Sequence, residues 1–340
     1  MALHIYTVPD HAAHDPGPSF VERPARVESV MDALGEAAID IETHEGTSAS
    51  LAHLEEVHDA AHLQWLKGLD RGGGALIGLD TVVSEGSFDV ATRGAGAVSA
   101  AAERAMSNRE RSFCVVRPPG HHATRNKAMG FCLINNIAVA AYAARDAGAQ
   151  RVAVVDFDVH HGNGTQEIFY SDPSVLYLSV HQYPWYPGPS GALELTGAGP
   201  GEGANVNLPL PSGSTDGVYR ECFERIVLPC VREFTPDIIL VSAGFDAHSE
   251  DPLSSMEVST EGFSAMTEGI VSVAEDVCEG RVVLCLEGGY HLQSLAESAV
   301  RSARALLGGQ AASSEPQPVG GQRRVVDDLV AFHAQTWKVA

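Results

Sequence analysis

Four short stretches of this chain combine carboxylates, imidazoles and glycines in ways that an ordinary core or turn does not need. The densest is Asp156-Phe157-Asp158-Val159-His160-His161-Gly162-Asn163-Gly164. Asp156, Asp158 and His160 are spaced two apart, so an extended backbone turns all three to one side. Two carboxylates and an imidazole on one face are costly to bury unless something neutralises them. The plain alternative is a hydrogen-bonded core histidine with buried Asp partners. A cation site, with Asp158 and His160 as direct ligands, accounts for all three residues. A third ligand must then come from another strand end, and Asp246, in Gly244-Phe245-Asp246, is the natural donor. Three protein ligands leave a coordination position open, the pattern of a catalytic rather than a structural zinc. The oxygen-rich set also suits iron(II), manganese or cobalt.

The other stretches supply acid–base groups. Arg117-Pro118-Pro119-Gly120-His121-His122 ends a stiff turn in two imidazoles, whose titration range suits proton transfer near neutral pH. Adjacent histidines are often surface accidents, but these follow an apolar run. Glu287-Gly288-Gly289-Tyr290 carries a phenol behind two glycines; alone it reads as an ordinary turn, and its weight comes from the other three stretches. A metal, an imidazole pair and a phenol donor are the parts required for metal-assisted acyl hydrolysis.

Such groups must be carried by elements that end at one place. Short apolar runs at 3–7, 113–116, 152–155, 175–180, 238–242 and 282–286 read as strands of a sheet covered on both faces. Segments 25–38, 89–106, 135–147, 215–234, 260–278 and 292–307 read as helices, the one at Thr260 with a capped start. Strands alternating with helices imply a parallel α/β sheet, in which ligands sit beyond the carboxyl ends of the strands. All four polar stretches follow such an end. Long loops are expected at 11–24 and 182–211, where function often resides. A Gly-, Ala-, Ser- and Pro-rich linker is expected at 308–322, with a terminal helix after it carrying Val325, Val326, Leu329, Phe332 and His333. One domain over 1–340 is the expected organisation.

Composition bounds the function class. The 340 residues are 44% hydrophobic and 19% charged, enough for a large core. Acids outnumber bases 44 to 22, a net charge of −22, which argues against a phosphate-binding nucleic-acid surface. The six cysteines form no Cys-x-x-Cys and no disulfide framework, as in a reducing compartment. No basic-then-apolar leader is visible, and the longest apolar stretch, about eight residues at 137–144, is far short of the roughly 20 that span a membrane. A soluble, cytoplasmic protein is the expectation.

The strings RPPGHH (117–122), GFCLIN (130–135), VDFDVHHGNGTQ (155–166), VSAGFD (241–246) and LEGGY (286–290), with the weaker ERPAR (22–26), resemble those of the histone deacetylase superfamily in content and order. The likeness is greatest to its class II branch and to the bacterial deacetylase-like amidohydrolases. It implies an arginase/deacetylase-like three-layer fold around a central, mainly parallel eight-stranded sheet. It implies one Zn2+ on Asp158, His160 and Asp246, with His122 as general base and later acid. His121 would give electrostatic support, backed by Asp156, and Tyr290 would meet the oxyanion. Behind His122, Asn163 stands where class I members carry Asp. A monovalent cation, usually K+, would match Asp156, Asp158, His160, Ser179 and Val180, and a second one backbone at Phe169, Asp172 and Val175. Gly130, Phe131, Tyr186, Leu253 and Gly289 would line the substrate slot, Tyr186 departing from the more frequent Phe.

The resemblance implies deacylation of N6-acyl-lysine in a protein or peptide, or of a small acyl-amine. The alternative within the superfamily is an acetylpolyamine amidohydrolase. Those relatives place Glu at the gate, where this chain has Leu253, which favours neutral acyl-lysine. An arginase-like two-metal hydrolase would need a further carboxylate where Gly162 and Ala247-His248 stand. A non-catalytic protein on the same fold would have lost Tyr290, a ligand or the His pair, and all are present. A homo-oligomer is left open.

Overall fold

The computed structural model describes residues 2–308 and 322–340. The expected linker at 308–322 lies almost wholly outside the described residues, while the helix expected beyond it is present. In chain order the elements are β1 (Leu3–Thr7), α1 (Ala25–Glu36), β2 (Ile41–Glu45), α2 (Leu51–Val57), α3 (Ala60–Arg71), β3 (Ala75–Ile77), β4 (Thr81–Val83), α4 (Ser87–Asn108), β5 (Ser112–Val115) and α5 (Asn136–Asp146). Then come β6 (Val152–Asp156), α6 (Asn163–Phe169), β7 (Val175–Gln182), β8 (Asn205–Leu210), α7 (Asp216–Cys222), α8 (Leu228–Phe234), β9 (Ile238–Ala243), α9 (Thr260–Cys278), β10 (Val282–Leu286), α10 (Leu292–Leu306) and α11 (Arg323–His333).

Eight strands form one sheet in the order β2-β1-β5-β10-β9-β6-β7-β8, and every pairing in it is parallel. Period-two alternation splits the strand residues between two cores. Phe113, Val115, Ala153 and Val155 face one with α1, α7, α8, α9 and α10. Cys114, Val154 and Val283 face the other with α4 and α5. Both faces are therefore covered, and the inner strands are buried throughout, which is why they read as uninterrupted apolar runs.

Several elements depart from the sequence expectation. The 182–211 segment is not loop throughout, because β8 occupies its end as an edge strand and carries Pro209 where an edge tolerates it. Its Asn205 and Asn207 turn inward and donate to Gln166 Oε1 at 3.0 and 2.9 Å. The other edge, β2, reads Ile-Glu-Thr-His-Glu and buries almost nothing, so it has no apolar signature. Helices α2, α3 and α6 and the β3–β4 hairpin were likewise not expected. The helix expected over 215–234 is present but contains a π-helical turn at Phe223–Val227, just before Pro229, which has no N–H for the ladder.

Close approach of α4 to the chain after β2 sets a packing limit. A Cβ at Gly96 would overlap the Thr47 carbonyl and crowd Ala49, whereas one at Gly68, an exposed position of α3, meets nothing within 4 Å. Gly96→Ala should therefore lower unfolding free energy by about 1–3 kcal/mol. Gly68→Ala should raise it by about 0.5–1 kcal/mol. Urea unfolding of both variants checks the sign of each, and equal effects would contradict the packing described.

Candidate active site

The four polar stretches leave β5, β10, β9 and β6, four neighbours at the centre of the sheet, all at the same edge because the sheet is parallel. Asp158, His160 and Asp246 converge there, each buried and each with a ligand atom within 4.8 Å of the others. His160 Nδ1 lies 3.2 Å from Asp158 Oδ1 and 3.0 Å from Asp246 Oδ2. Strand alternation alone does not produce this, since β6 ends at Asp156 and the chain bends over 158–160. Side chains shape the bend instead. Asp156 Oδ1 accepts the Asp158 N–H at 3.2 Å, Asp158 Oδ1 the His160 N–H at 2.8 Å, and Asp246 Oδ1 the Val159 N–H at 2.9 Å.

Two observations fit this cluster to a divalent cation. A Cβ at Gly244 or Gly288 would collide with the carboxylates of Asp158 and Asp246, so the glycines make room for the charged groups. The electrostatics also call for positive charge. Burial disfavours the His160 imidazolium, yet Asp158 and Asp246 overcome it and draw the pKa up to about 10. A proton thus does for the cluster what a metal would do, and an N and O donor set suits zinc and its neighbours.

The two imidazoles after β5 are driven apart in basicity. Their ring centroids are 4.1 Å apart. His121 Nδ1 meets Asp156 Oδ2 at 3.1 Å, and its Nε2 lies 3.8 Å from Asp158 Oδ1. Burial opposes its charge, but Asp158 and Asp156 raise its pKa to about 10. His122 Nδ1 meets Asn163 Oδ1 at 2.9 Å. Burial first, then the neighbouring His121 and His160, hold it well below the usual histidine range. One imidazole therefore stays charged and the other neutral at pH 7, the divergence that marks separate acid–base roles. Because the Asn oxygen accepts, His122 carries its proton on Nδ1 and leaves Nε2 free to take another.

Glu287, the last acid before the Gly-Gly-Tyr, fixes this turn. Its carboxylate accepts the N–H of Gly120 at 2.6 Å and of His121 at 3.2 Å, and the Ser242 hydroxyl at 3.1 Å. Burial raises its pKa to about 7. Tyr290 is buried with its ring under the Arg26 guanidinium at 4.8 Å and edge-on to Phe131 at 5.6 Å. Burial holds its phenol well above the usual value, so it remains a donor. Arg26 donates to the carbonyls of Gly289 and Glu287, and Glu22 pairs with it and with Arg117, so the 11–24 loop is tied to the strand ends that carry the cluster. Asp251 accepts the backbone N–H of Tyr290 at 2.7 Å and of Leu253 at 3.0 Å.

A pocket of about 270 Å³ opens onto this cluster. Tyr186 stands edge-on to His122 at 5.1 Å and to His160 at 6.0 Å, with Phe131 and Gly130 beside it and Leu253 among the lining residues. Gly130 has φ +57 and a Cβ there would strike the His122 ring, so glycine is required. Gly289 is the carbonyl held by Arg26 and also has positive φ. Asp80 and Trp185 line the pocket too, and the sequence reading gave neither a role. Asp80 sits in the β3–β4 turn, whose signal is the short runs Ala75-Leu76-Ile77 and Thr81-Val82-Val83 around Gly78-Leu79-Asp80; Thr81 there accepts the Phe131 N–H at 3.0 Å.

The residues expected to hold monovalent cations fall in two places. Asp156 and Ser179 are register partners on β6 and β7, with Val180 next along and Asp158 and His160 beyond the end of β6. Phe169, Asp172 and Val175 follow one another in successive turns, each carbonyl of the first two accepting the N–H of the next residue named.

The chain matches a family model described as histone deacetylase domain over residues 20–306. It is 39% identical to histone deacetylase 14, chloroplastic, of Arabidopsis thaliana over 92% of this chain and 78% of that protein. It is 40% identical to the histone deacetylase-like amidohydrolase of Pseudomonas aeruginosa over 83% and 74%. The crystal structure of the HDA15 HD domain superposes with a TM-score of 0.91 at 35% identity, covering 99% of this chain and 95% of that one. Family match, sequence identity and backbone agree over nearly the whole chain, which therefore belongs to the histone deacetylase family as a hydrolytic deacetylase with the arginase/deacetylase-like α/β fold.

Proposed function

We propose that this chain removes acetyl or related acyl groups from N6-acyl-lysine, with zinc held by Asp158, His160 and Asp246 and K+ beside it at Asp156, Asp158, His160, Ser179 and Val180. The observation that carries the reading is the pocket itself: aromatic walls from Phe131 and Tyr186, an apolar Leu253 among its lining residues, and His122, His160 and Tyr290 also in the lining. The aromatic and apolar walls suit the methylene stem of an acyl-lysine, and Asp80 is the one acidic residue in the lining. When bound, the ion supplies Lewis-acid polarisation of the acyl carbonyl and of the attacking water.

The chain's own groups handle the protons. His122 Nε2 takes a proton from water as the oxygen attacks the acyl carbon, and Asn163 keeps the ring in that tautomer. The Tyr290 phenol donates to the oxyanion that develops. His122 then returns its proton to the amine as the C–N bond breaks, leaving a carboxylic acid and free lysine. His121, charged against Asp156, offsets the negative carboxylates beside it. Turnover of matched acetyl-lysine peptides and acetylpolyamines by the zinc-loaded protein tests the reading, and the peptides should be preferred.

Three variants probe the parts. Tyr290→Phe removes a donor to charge present only in the transition state, so kcat on an acetyl-lysine peptide should fall about 10²–10³-fold with little change in KM. An unchanged kcat would contradict the role. In Asn163→Asp a carboxylate behind His122 favours the imidazolium and raises its pKa. The neutral base is then reached only at higher pH, so the acidic limb of the kcat/KM profile should move up by about 1–3 units. An unmoved limb would show that His122 is not the titrating base. Leu253→Glu should raise kcat/KM for acetylpolyamines relative to acetyl-lysine peptides by about tenfold, or about 1.4 kcal/mol. If the wild type already favours acetylpolyamines and this variant changes nothing, the gate and the substrate assignment are wrong together.

A further inference from the structure

Outside the tunnel, ligand-bearing side chains converge once more among the described residues, on the outer strand pair of the sheet. Glu42 and His44 are two apart on β2 and share a face, and the parallel register sets His4 against Glu42 and Tyr6 against His44. His4 Nδ1 and His44 Nε2 face each other at 3.0 Å. The Glu42 carboxylate straddles them, Oε2 3.8 Å from His4 Nδ1 and Oε1 3.6 Å from His44 Nε2. Tyr6 stacks on the His44 ring at 4.6 Å and fixes its plane. Glu110 approaches His4 Nδ1 at 3.7 Å and is itself held by Arg104 at 2.7 and 2.8 Å, so its charge is already balanced.

We propose that His4, Glu42 and His44 form a second divalent metal site, of the zinc class, that clips edge strand β2 to β1. Two imidazole nitrogens and a carboxylate are donors for zinc, cobalt(II), nickel(II) or copper(II), not for calcium or magnesium, which take oxygen. At Zn–N distances of about 2.0–2.1 Å the two nitrogens need to part by only a few tenths of an ångström. The Glu42 side chain, 58% exposed, is free to close on an ion, and water has access to the fourth position. The site serves the fold rather than the tunnel. As an edge strand β2 has a single neighbour, and an ion gripping both strands binds the native state only and so raises its stability.

The test is a zinc count on the full chain dialysed to equilibrium against micromolar Zn2+. The wild type should hold about two equivalents per chain, His44→Gln about one, Asp246→Ala about one, and the combined variant none. His44→Gln keeps a hydrogen-bonding partner for His4, and zinc-loaded it should deacetylate within about twofold of wild type. In the Asp246→Ala background, added Zn2+ should raise Tm, and His44→Gln should abolish that rise. A single equivalent in the wild type would mean that the two imidazoles merely share a proton, and would overturn the proposal. So would a wild-type count in His44→Gln, loss of both equivalents in it, or an equivalent retained by the combined variant. His4→Gln, on the other strand, should repeat the His44→Gln count.

Discussion

Everything at the tunnel floor answers to the burial of Asp156, Asp158 and Asp246 within one hydrogen-bonded cluster. Three carboxylates out of water are tolerable only if each lone pair finds a donor and the summed charge finds a counter-charge. The backbone supplies donors by bending after β6, so that the N–H groups of Asp158, Val159 and His160 each meet a carboxylate. Gly288 adds its own N–H to Asp158 Oδ2 at 2.8 Å, which is possible only because no side chain stands there. The positive charge is met by His121 and by the proton on His160, whose place a metal bound to that ring would take.

That same burial drives the two adjacent imidazoles apart in basicity. His121 is pinned as a cation by Asp156 and Asp158, and its charge helps to keep His122 neutral. The difference in basicity thus follows from one residue's difference in position relative to the carboxylates, not from any difference in side-chain type. Glu287 completes the arrangement by holding the turn through backbone N–H groups rather than through either ring.

Much of this was legible in the sequence because the central strands are buried on both faces and carry their polar residues just past their ends. The six inner runs and the groups at 121, 122, 156, 158, 160, 246 and 290 stand out for that reason. The two edge strands were not legible, since β2 buries little and β8 fills its inner face with asparagines whose amides donate to Gln166 Oε1. Asp80 was missed because its hairpin strands are three residues long, too short for a period to show. The two-residue spacing of Asp156, Asp158 and His160 pointed to the right cluster for an incomplete reason, as alternation ends at Asp156 and side-chain hydrogen bonds do the rest.

The central strands that meet at the site are neighbours in space but come from residues 112–115, 152–156, 238–243 and 282–286. Arg26, which braces Tyr290, comes from farther still. Contacts this distant along the chain must wait for long loops to close, so the fold assembles slowly and late for its size. Ribosomal synthesis delivers β10 after the other seven strands of the sheet, and until it inserts between β5 and β9 the half-built sheet exposes two unpaired parallel edges. A fragment that lacks β10 also lacks Tyr290 and the Glu287 carboxylate that holds the Gly120–His121 turn, and such fragments are the species most prone to aggregate.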